Sequence, residues 1–332
     1  MKKTTQLVTA LLCMATVLVF SSSVLASPKY RMKIASVGSD THPSSIALVE
    51  MKDFLEKSTN NELDVSLYLN SALGGDRQIT EGMQLFTIEG GIIGTAILAS
   101  FENKFGVFDL PFLFKDQETA YTAIDGELGA VLKEALLAQG LRIIGYGVNG
   151  YRHITNNNAP ITKPEDLKGL KLRCMENPIH VATFKKMGAN PTPMSFSELY
   201  TALAQRVVDA QENPINLVYS AKFYEVQKYY SLTGHLFSVV PLVINEGWFQ
   251  GLPKNIQEAV LEGGILYQNR ERAINEAEEK SMLGEMKEKG LLINELTPEQ
   301  KRAFIEITLP IYDDFKDRIG DDMVEMAKKA NQ

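Results

Sequence analysis

The chain has 332 residues, a length that predicts two domains rather than one. Hydrophobic residues make up 45% and charged residues 23% of the sequence, values that are typical of a folded globular protein and exclude extensive disorder. The net charge is −7, the sequence pI is about 5.3, and the charges are spread along the chain. A surface that binds nucleic-acid phosphates is therefore not expected.

The N-terminus has the pattern of a cleavable signal peptide. Lys2 and Lys3 precede a short apolar run, Leu7–Phe20, which is shorter than the roughly 20 residues that a membrane-spanning helix needs. Val24 and Ala26 then stand at positions −3 and −1 of a predicted cleavage site. We therefore expect export to the periplasm and a mature chain that is not embedded in a membrane.

The sequence contains two cysteines. Cys13 lies within the predicted signal peptide, and Leu12 before it is not the small residue that a lipid-anchored cysteine requires. Only Cys174 remains after cleavage, so no intramolecular disulfide can form. This composition favours a bacterial periplasmic protein that is stabilised by its size. Cys174 has no base partner nearby in the sequence, so we predict a buried, inert thiol.

Patterns typical of strands and helices alternate along the chain. The predicted strands are Tyr30–Val37, Asp64–Leu69, Ile92–Ile97, Arg142–Gly147, His153–Thr155, Lys171–Cys174 and Leu236–Ile244. The predicted helices are Ser44–Ser58, Gly75–Leu85, Glu127–Gln139, Ile179–Met187, a segment through about Gln205, Asn216–Phe223 and about Asn255–Lys289. Capping boxes are predicted at Thr162–Glu165 and Ser195–Glu198. The alternation predicts an α/β fold with a mostly parallel sheet, and the last helix is long enough to cross both lobes.

Several motifs resemble catalytic or cofactor signatures without their context. Gly145–Gly150 matches G-x-G-x-x-G, but no helix follows it, so a nucleotide site is not predicted. Metal-ligand spacing is absent from the four histidines, so neither a metal nor a cofactor is expected. These histidines are His42, His153, His180 and His235. No nucleophile and base pair is evident, and we predict no catalytic residue.

Arg173 is the clearest candidate for ligand binding. It lies at the end of a predicted strand in which Leu170 and Leu172 would turn it away from the core. A guanidinium group can bind a carboxylate through two parallel hydrogen bonds, although a surface ion pair is the alternative. Downstream, Asn213 and Pro214 predict an extended turn at a strand end, with an amide that can face a cleft.

These and other motifs resemble the solute-binding proteins of tripartite ATP-independent periplasmic (TRAP) transporters, over essentially the whole mature chain. The matching segments are Leu73–Arg77, Asp109–Phe112, Asn149–Arg152, Leu167–Arg173, Gly188–Pro193, Asp209–Pro214 and Phe223–Lys228. The resemblance implies two α/β lobes with a hinged cleft between them, a fold like that of periplasmic binding proteins. It further implies a monomer that delivers a small organic acid to the membrane subunits of a TRAP transporter.

The predicted domain boundaries follow from this resemblance. The signal peptide spans 1–26, the first lobe comprises 27–149 and about 239–278, and the second lobe comprises 150–238 and about 279–332. The long predicted helix would then cross from one lobe to the other.

The resemblance also implies site roles for particular residues. Arg173 matches the position that holds the ligand carboxylate, and Arg152 and Asn213 match positions that assist it. Phe196 is expected either as an apolar wall of the site or as a core residue. On the first lobe, the expected lining residues are His42, Asp76 and Thr95.

The sequence departs from relatives that bind large acetylated sugar acids. Gly94 stands where such relatives carry a pocket glutamate, whereas Glu176 follows Arg173 at a distance of three residues. Glu176 is expected either to accept hydrogen bonds from ligand hydroxyls or to neutralise a nearby arginine. A carboxylate that accepts hydroxyls disfavours a second carboxylate on the ligand. We therefore predict a hydroxylated monocarboxylate such as a uronate or aldonate, with a small keto acid, hydroxy acid or C4-dicarboxylate as the alternative.

Two other classes of function stay open. A periplasmic sugar-acid lyase or hydrolase would need a base near the substrate, for which His42, Asp76 and Glu176 are the candidates. A sensor subunit that passes its bound state to a membrane receptor would have the same sequence features as a transport protein.

Overall fold

A computed structural model describes residues 28–331. The predicted signal peptide and Cys13 lie outside the described residues, as does the predicted cleavage site. Within residues 28–331, no helix combines the length and the apolar character that crossing a bilayer requires.

One mixed sheet of nine strands connects the two ends of the molecule. The strands are β1 (Tyr30–Ala35), β2 (Leu63–Tyr68), β3 (Gly90–Ile92), β4 (Leu141–Asn156), β5 (Lys171–Cys174), β6 (Asn190–Pro193), β7 (Ala210–Pro214), β8 (Tyr229–Asn245) and β9 (Leu292–Glu295). Their order is β2-β1-β3-β8-β4-β7-β5-β6, with β9 beside β8. Pairing is parallel among β1, β2 and β3 and among β5, β6 and β7, whereas β8 and β4 pair antiparallel with each other and with both groups.

Helices cover this sheet. They are α1 (Pro43–Ser58), α2 (Asp76–Gln84), α3 (Thr95–Leu98), α4 (Gln117–Asp125), α5 (Glu127–Leu137), α6 (Pro178–Lys186), α7 (Phe196–Ala204), α8 (Ile215–Ser220), α9 (Glu246–Gln250), α10 (Lys254–Glu288), α11 (Pro298–Thr308), α12 (Pro310–Ile319) and α13 (Asp321–Lys329). Short 3-10 helices span Asn103–Asp109, Pro164–Leu167 and Phe223–Glu225. The predicted α/β class with two lobes is confirmed.

The predicted strand Ile92–Ile97 is wrong beyond its first residue. β3 ends at Ile92, and Gly94 precedes the single turn of α3. The N–H of Gly94 donates to the Asp76 carboxylate instead of to a neighbouring strand. All four residues of α3 are buried, and a short buried apolar run does not distinguish a strand from a helix.

The two segments predicted separately as Arg142–Gly147 and His153–Thr155 form one strand, β4, of 16 residues. Register shifts against β8 interrupt the pairing at three places, one of them between Val148 and Gly150. Such irregularities bend a strand and break its alternation, which explains why the sequence pattern suggested two short strands. Because β4 and β8 are long and adjacent, they belong to both lobes and connect them.

The long helix α10 is confirmed, with 35 residues from Lys254 to Glu288. It packs against α1, β4 and α8 and so lies across both halves of the molecule. Its side chains also bind the crossing strand directly: Gln268 Oε1 accepts from Tyr146 N at 2.8 Å, and Glu271 Oε2 accepts from Val148 N at 2.9 Å.

The G-x-G-x-x-G segment is the place where β4 meets α10. A Cβ atom on Gly145 would lie 2.4 Å from the carbonyl oxygen of Gly264, and one on Gly147 would lie 2.8 Å from Tyr267 Oη. Real Cβ atoms do not approach so closely, so a side chain at either position would force the helix away from the strand. The glycines therefore allow close packing of strand and helix, which gives the motif a structural role.

The two predicted capping boxes have different outcomes. The 3-10 helix Pro164–Leu167 forms where the first was predicted, but its N-cap is Lys163, one residue later than expected. Asp166 Oδ2 accepts from Lys163 N at 3.1 Å and from Thr162 N at 2.8 Å, so Asp166 takes the place predicted for Glu165. Helix α7 begins as predicted, but Ser195 makes no capping hydrogen bond, and its hydroxyl lies 3.0 Å from that of Ser197. The second capping box is therefore wrong.

The C-terminal helices α12 and α13 pack into the largest core cluster. Ile311, Ile319 and Met323 share this core with Phe105 and Leu132, which were assigned to the first lobe. The predicted boundary placed the C-terminal segment in the second lobe, whereas these contacts join α12 and α13 to first-lobe elements. Ile179 of the predicted second lobe belongs to the same cluster, so the cluster does not divide the chain into lobes, and the domain boundaries stay a prediction.

Gly264→Ala is expected to lower the free energy of unfolding by about 2 kcal/mol, because the new methyl group would lie 2.3 Å from the Ile144 carbonyl oxygen. Gly284→Ala is the matched control, since it lies in the same helix with nothing within 4 Å of its Cβ position. The control is expected to stabilise the protein by about 0.5 kcal/mol through helix propensity. Urea unfolding measures both, and equal effects of the two substitutions would contradict the close packing of β4 and α10.

Candidate functional site

A cavity of about 500 Å³ lies between the two ends of the sheet. Its polar lining includes His42 and Asp76 from one side, Arg173 and Asn213 from the other, and Arg152 from the crossing strand β4. His42 directly precedes α1 and Asp76 begins α2, whereas Arg173 and Asn213 are each the penultimate residue of a strand. Residues at the ends of strands and the starts of helices often form the binding sites of α/β proteins.

Arg173 is buried, with 2% of its surface exposed. Its Nε and Nη2 atoms donate to the Met194 carbonyl oxygen at 2.9 and 2.7 Å. No carboxylate lies within ion-pair distance of it among residues 28–331, so the alternative of a surface ion pair is wrong. Burial lowers the pKa of Arg173 to about 10, which still leaves it charged at neutral pH. The guanidinium is thus held by one edge, and the Nη1 end has no partner among the described residues.

Arg152 is held differently, by a buried ion pair. Its Nε and Nη2 atoms donate to the Glu212 carboxylate, Nη2 also donates to Asn213 Oδ1 at 3.1 Å, and Nη1 lies 3.4 Å from Ser238 Oγ. Asn213 in turn donates to Gln211 Oε1. Both the oxygen and the nitrogen of the Asn213 side-chain amide therefore have hydrogen-bond partners within the protein, and these neighbours set its position.

Glu212 lies at the centre of a buried charge network behind the cavity. Arg152 and His235 both donate to it, with His235 Nε2 at 3.2 Å, and His180 Nδ1 lies 3.9 Å away. Burial raises the pKa of Glu212, but the charge of Arg152 and the hydrogen bonds from His235 and Arg152 outweigh this effect, and the net pKa lies well below its ordinary value. On the far side, His180 Nε2 lies 2.9 Å from Asp109 Oδ1. Two of the four histidines therefore support the site through hydrogen bonds.

Asp76 is the carboxylate that faces the arginines. It begins α2, and its Oδ2 atom accepts from Gly94 N at 3.2 Å, whereas Oδ1 is buried without a hydrogen-bond partner. Burial raises the pKa of Asp76 to about 6, although the charges of Arg173 and Arg152 oppose the shift. The free Oδ1 atom is an acceptor available to a ligand.

His42 lines the cavity and also caps α1. Its Nδ1 atom accepts from Ser44 N at 3.2 Å, and Nε2 is buried without a partner. Burial lowers the pKa of His42 to about 4, so the ring is neutral at physiological pH.

The remaining predicted site residues are Phe196 and Thr95, which each line a cavity, and Glu176, which does not. Phe196 lines the cavity, and its ring centroid is 5.7 Å from that of Phe223, so it forms a wall and also packs against the core. Thr95 lines a smaller adjoining cavity of about 230 Å³, together with Asp109 and His180, rather than the main one. Glu176 does not line either cavity.

Glu176 instead neutralises an arginine, which was one of the two roles expected for it. Its Oε1 atom lies 4.0 Å from Arg77 Nε, and 36% of its side chain is exposed. Cys174 is buried and burial raises its pKa to about 12, in agreement with an inert thiol.

Ser36, Met175 and Ser238 also line the cavity and were not predicted. Met175 follows two residues after Arg173, so its proximity in sequence could have indicated it. Ser36 and Ser238 belong to ordinary strand patterns, and only the strand pairing brings them to the cavity.

The fold and the cavity together define a two-lobed periplasmic binding protein. The profile of bacterial extracellular solute-binding proteins, family 7 (DctP), matches residues 34–318. The chain belongs to this family, and it is a solute-binding protein of the TRAP type, as the sequence motifs predicted.

Named relatives and solved structures agree with this assignment. The 2,3-diketo-L-gulonate-binding periplasmic protein YiaO of Escherichia coli is 38% identical over 297 residues, which cover 90% of this chain and 89% of that protein. The C4-dicarboxylate-binding periplasmic protein DctP of Rhodobacter capsulatus is 32% identical and covers 94% of both chains. The sugar acid binding protein DctPAm of Advenella mimigardefordensis, solved with galactonate, has 33% identity and a TM-score of 0.89, covering 92% of this chain and 98% of its own. A TRAP periplasmic solute binding protein from Sulfurospirillum deleyianum with bound succinate has 31% identity and a TM-score of 0.88, covering 91% and 99%.

Glu212→Gln is expected to lower the free energy of unfolding at pH 7 by about 3 kcal/mol, because it leaves the Arg152 charge buried without its counter-charge. The depressed pKa of Glu212 adds stability above its unfolded value of 4.5, and this stability is lost as the pH falls through the folded value. The wild type should therefore lose stability below about pH 4.5, and the variant should lose less. Urea unfolding at pH 7 and at pH 3.5 to 4.5 measures both effects, and identical acid profiles would contradict an ionised Glu212.

Proposed function

We propose that this protein captures a hydroxylated monocarboxylate, such as an aldonate or uronate, in the periplasm and delivers it to the membrane subunits of a TRAP transporter. The observation that carries this proposal is that one cavity is lined both by the free guanidinium end of Arg173 and by a free carboxylate oxygen of Asp76. Both are buried, and neither has a partner among residues 28–331.

The guanidinium end supplies the carboxylate site. With Nε and one N–H of Nη2 occupied by Met194, the Nη1 and Nη2 end can still form two parallel hydrogen bonds to a ligand carboxylate. Arg152 adds a second positive charge nearby, and its pairing with Glu212 holds it in place. Because Arg173 is buried, its attraction to an anion is stronger than that of an arginine on the surface.

Asp76 is the residue that favours a ligand with hydroxyl groups. An ionised carboxylate can only accept hydrogen bonds, so it suits a ligand hydroxyl and repels a second ligand carboxylate. This role was expected for Glu176, and it passes to Asp76 because Glu176 lies outside the cavity. The names of the similar proteins support the same class, since one binds 2,3-diketo-L-gulonate and another was solved with galactonate.

A C4-dicarboxylate or a small keto or hydroxy acid is the second candidate. The observation that favours it is the raised pKa of Asp76, about 6, which leaves a protonated fraction that could donate to a second carboxylate. A similar protein is named for C4-dicarboxylates, and another was solved with succinate.

The proposed mechanism is closure of the two lobes around the ligand. Asp76 and His42 belong to segments predicted as the first lobe, and Arg173 and Asn213 to segments predicted as the second. A ligand that contacts both sets favours the closed arrangement, because both sets of contacts exist only there.

A binding role rather than catalysis is part of this proposal. A lyase would need a base close to the substrate, and Asp76 is the cavity residue whose pKa is closest to neutral. Incubation with galactonate and glucuronate followed by NMR should return both acids unchanged, and product formation would contradict a pure binding role. Loss of uptake on deletion of the gene, with permease genes beside it, supports transport; a neighbouring histidine kinase or cyclase gene would support sensing instead.

Arg173→Lys is expected to weaken binding of the best ligand about tenfold to hundredfold, because lysine keeps the charge but cannot form the two parallel bonds. Isothermal titration calorimetry against galactonate, glucuronate, 2,3-diketogulonate and succinate measures the change. Arg142→Lys is the matched control, since Arg142 pairs with Glu246 away from the cavity. Wild-type affinity in the Arg173 variant would contradict its role as the carboxylate anchor.

Asp76→Asn is expected to change selectivity rather than abolish binding. It removes a negative charge, so succinate should bind more tightly, while an aldonate should bind about tenfold more weakly because a hydroxyl loses its charged acceptor. For the wild type, protonation of Asp76 below about pH 6 should shift selectivity in the same direction. Calorimetry at pH 5.5 and 7.5 tests this, and a parallel loss for both ligands would argue against hydroxyl recognition by Asp76.

A further inference from the structure

His180 is a buried histidine whose two ring nitrogens both face carboxylates. Only 1% of its side chain is exposed, its Nε2 atom lies 2.9 Å from Asp109 Oδ1, and its Nδ1 atom lies 3.9 Å from Glu212 Oε1. The second distance is too long for a hydrogen bond but within ion-pair range, and Nδ1 has no hydrogen-bond partner among residues 28–331. A neutral imidazole carries one proton, so it would present a lone pair to one of the two carboxylates.

The surroundings of the two carboxylates make them acceptors toward His180. Asn177 accepts from two backbone N–H groups through Oδ1, so its Nδ2 atom is the donor that contacts Asp109 Oδ2 at 2.8 Å. A carboxylic acid is a stronger acid than an imidazolium, so the proton between Asp109 Oδ1 and Nε2 belongs to the histidine. Glu212 accepts from Arg152 through both oxygens and is ionised, since its net pKa lies well below the ordinary value.

The other three histidines have surroundings that a neutral ring satisfies. In His42 and His153, Nδ1 accepts from a backbone N–H group, which can only donate. In His235, Nδ1 lies 2.7 Å from a threonine hydroxyl, which can also donate. Burial lowers the pKa of all three. His180 differs from them because neither of its two partners can supply a proton.

A charge on His180 would also change the balance of charge at the site. Apart from His180, the charged side chains in or directly behind the two cavities are three carboxylates and two arginines: Asp76, Asp109, Glu212, Arg152 and Arg173. With a neutral His180, three negative charges would stand against two positive ones, which opposes the entry of an anion. An imidazolium makes the two signs equal and favours an anionic ligand.

The groups that face His180 come from four elements. They are Asp109 at the end of its 3-10 helix, Glu212 on β7, His235 on β8 and Arg152 on β4. Arg152 opposes a charge on His180, as His235 would if it were charged, whereas the two carboxylates favour that charge. The charged side chains of β5, α11 and α12, which pack against α6, do not line the cavity that His180 lines.

We propose that His180 is an imidazolium that bridges Asp109 and Glu212, and that it is a positioning residue for the ligand site. The bridge holds Glu212, which in turn holds Arg152 beside the cavity. It also adds the third positive charge that lets the site accept an anion. Its role in binding rests on the proposed function, whereas its protonation state does not.

NMR of untagged protein with ¹⁵N-labelled histidine tests the protonation state. The sequence has four histidines, so four side chains report. At pH 7.5 one histidine should carry protons on both ring nitrogens, and the other three should be neutral. The doubly protonated signal should disappear in His180→Gln. Four neutral histidines in the wild type, with and without galactonate, would overturn the proposal, as would a doubly protonated signal that persists in the variant.

Calorimetry with galactonate tests the role in binding. His180→Gln keeps an amide that can donate to Asp109 but has no charge, so it should weaken binding about tenfold at pH 7.5. A group that is protonated in the bound state contributes affinity below its pKa and loses it as the pH rises. The wild type should therefore bind more weakly between pH 7.5 and 9.5, and the variant should change less. Glu271, whose pKa burial raises to about 8, is present in both proteins and cancels in this comparison.

Two further variants complete the design. Asp109→Asn removes one of the two carboxylates and should move the titration of His180 to lower pH, which keeps the test available if His180→Gln does not fold. His153→Gln is the matched control, since His153 is buried and lines neither cavity. It should keep both the doubly protonated signal and the affinity for galactonate. Thermal unfolding of each variant separates loss of fold from loss of binding.

The outcomes distinguish this inference from the proposed function. A doubly protonated His180 in a protein that binds no sugar acid would overturn the proposed function and leave the bridge in place. Binding of galactonate by a protein with four neutral histidines would overturn the bridge alone. Equal affinities and parallel pH profiles in the wild type and His180→Gln would overturn the role of His180 in binding.

Discussion

The buried ion pair between Arg152 and Glu212 is the interaction on which the site depends. It lies where β4 and β7 pair, so the same contact connects the crossing strand to the strand that carries Asn213. Glu212 compensates one of the two buried arginines, and His235 completes its hydrogen bonds without adding a charge, because burial lowers the pKa of that histidine. Arg173 is left with a hydrogen-bonded carbonyl but no ion-pair partner. A buried positive charge without a counter-charge is costly, so the site favours an anion.

The scaffold positions these groups through two long strands and one long helix. Because β4 and β8 run the full length of the sheet, residues from both ends of the molecule reach one cavity without any flexible linker. Helix α10 binds the bent part of β4 through Gln268 and Glu271, and close contact at Gly145 and Gly264 leaves no room for another side chain. In the closure proposed above, movement of one lobe relative to the other would bend these connected elements.

Much of this organisation was predictable, and the errors have identifiable causes. The long helix and most strands follow hydrophobic periodicity, which is a local property. The segment Ile92–Ile97 was misassigned because a buried apolar turn and a buried strand have the same composition. The two roles that stayed open for Glu176 could not be separated by the sequence for a related reason. Sequence proximity to Arg173 suggested Glu176, but the chain turns it toward Arg77, while Asp76 arrives from the other lobe.

The sequence by itself determined the fold class and the family, and it pointed to Arg173 as the candidate anchor, because these follow from local patterns and from the order of the family's motifs along the chain. The tertiary structure alone decided which polar atoms remain unpaired at the cavity. Whether Asp76 or His180 has a free atom depends on hydrogen bonds from residues far away in sequence, such as Gly94 and Asp109. Such pairings depend on distances and angles of a few tenths of an ångström, which residue order does not encode in any local pattern.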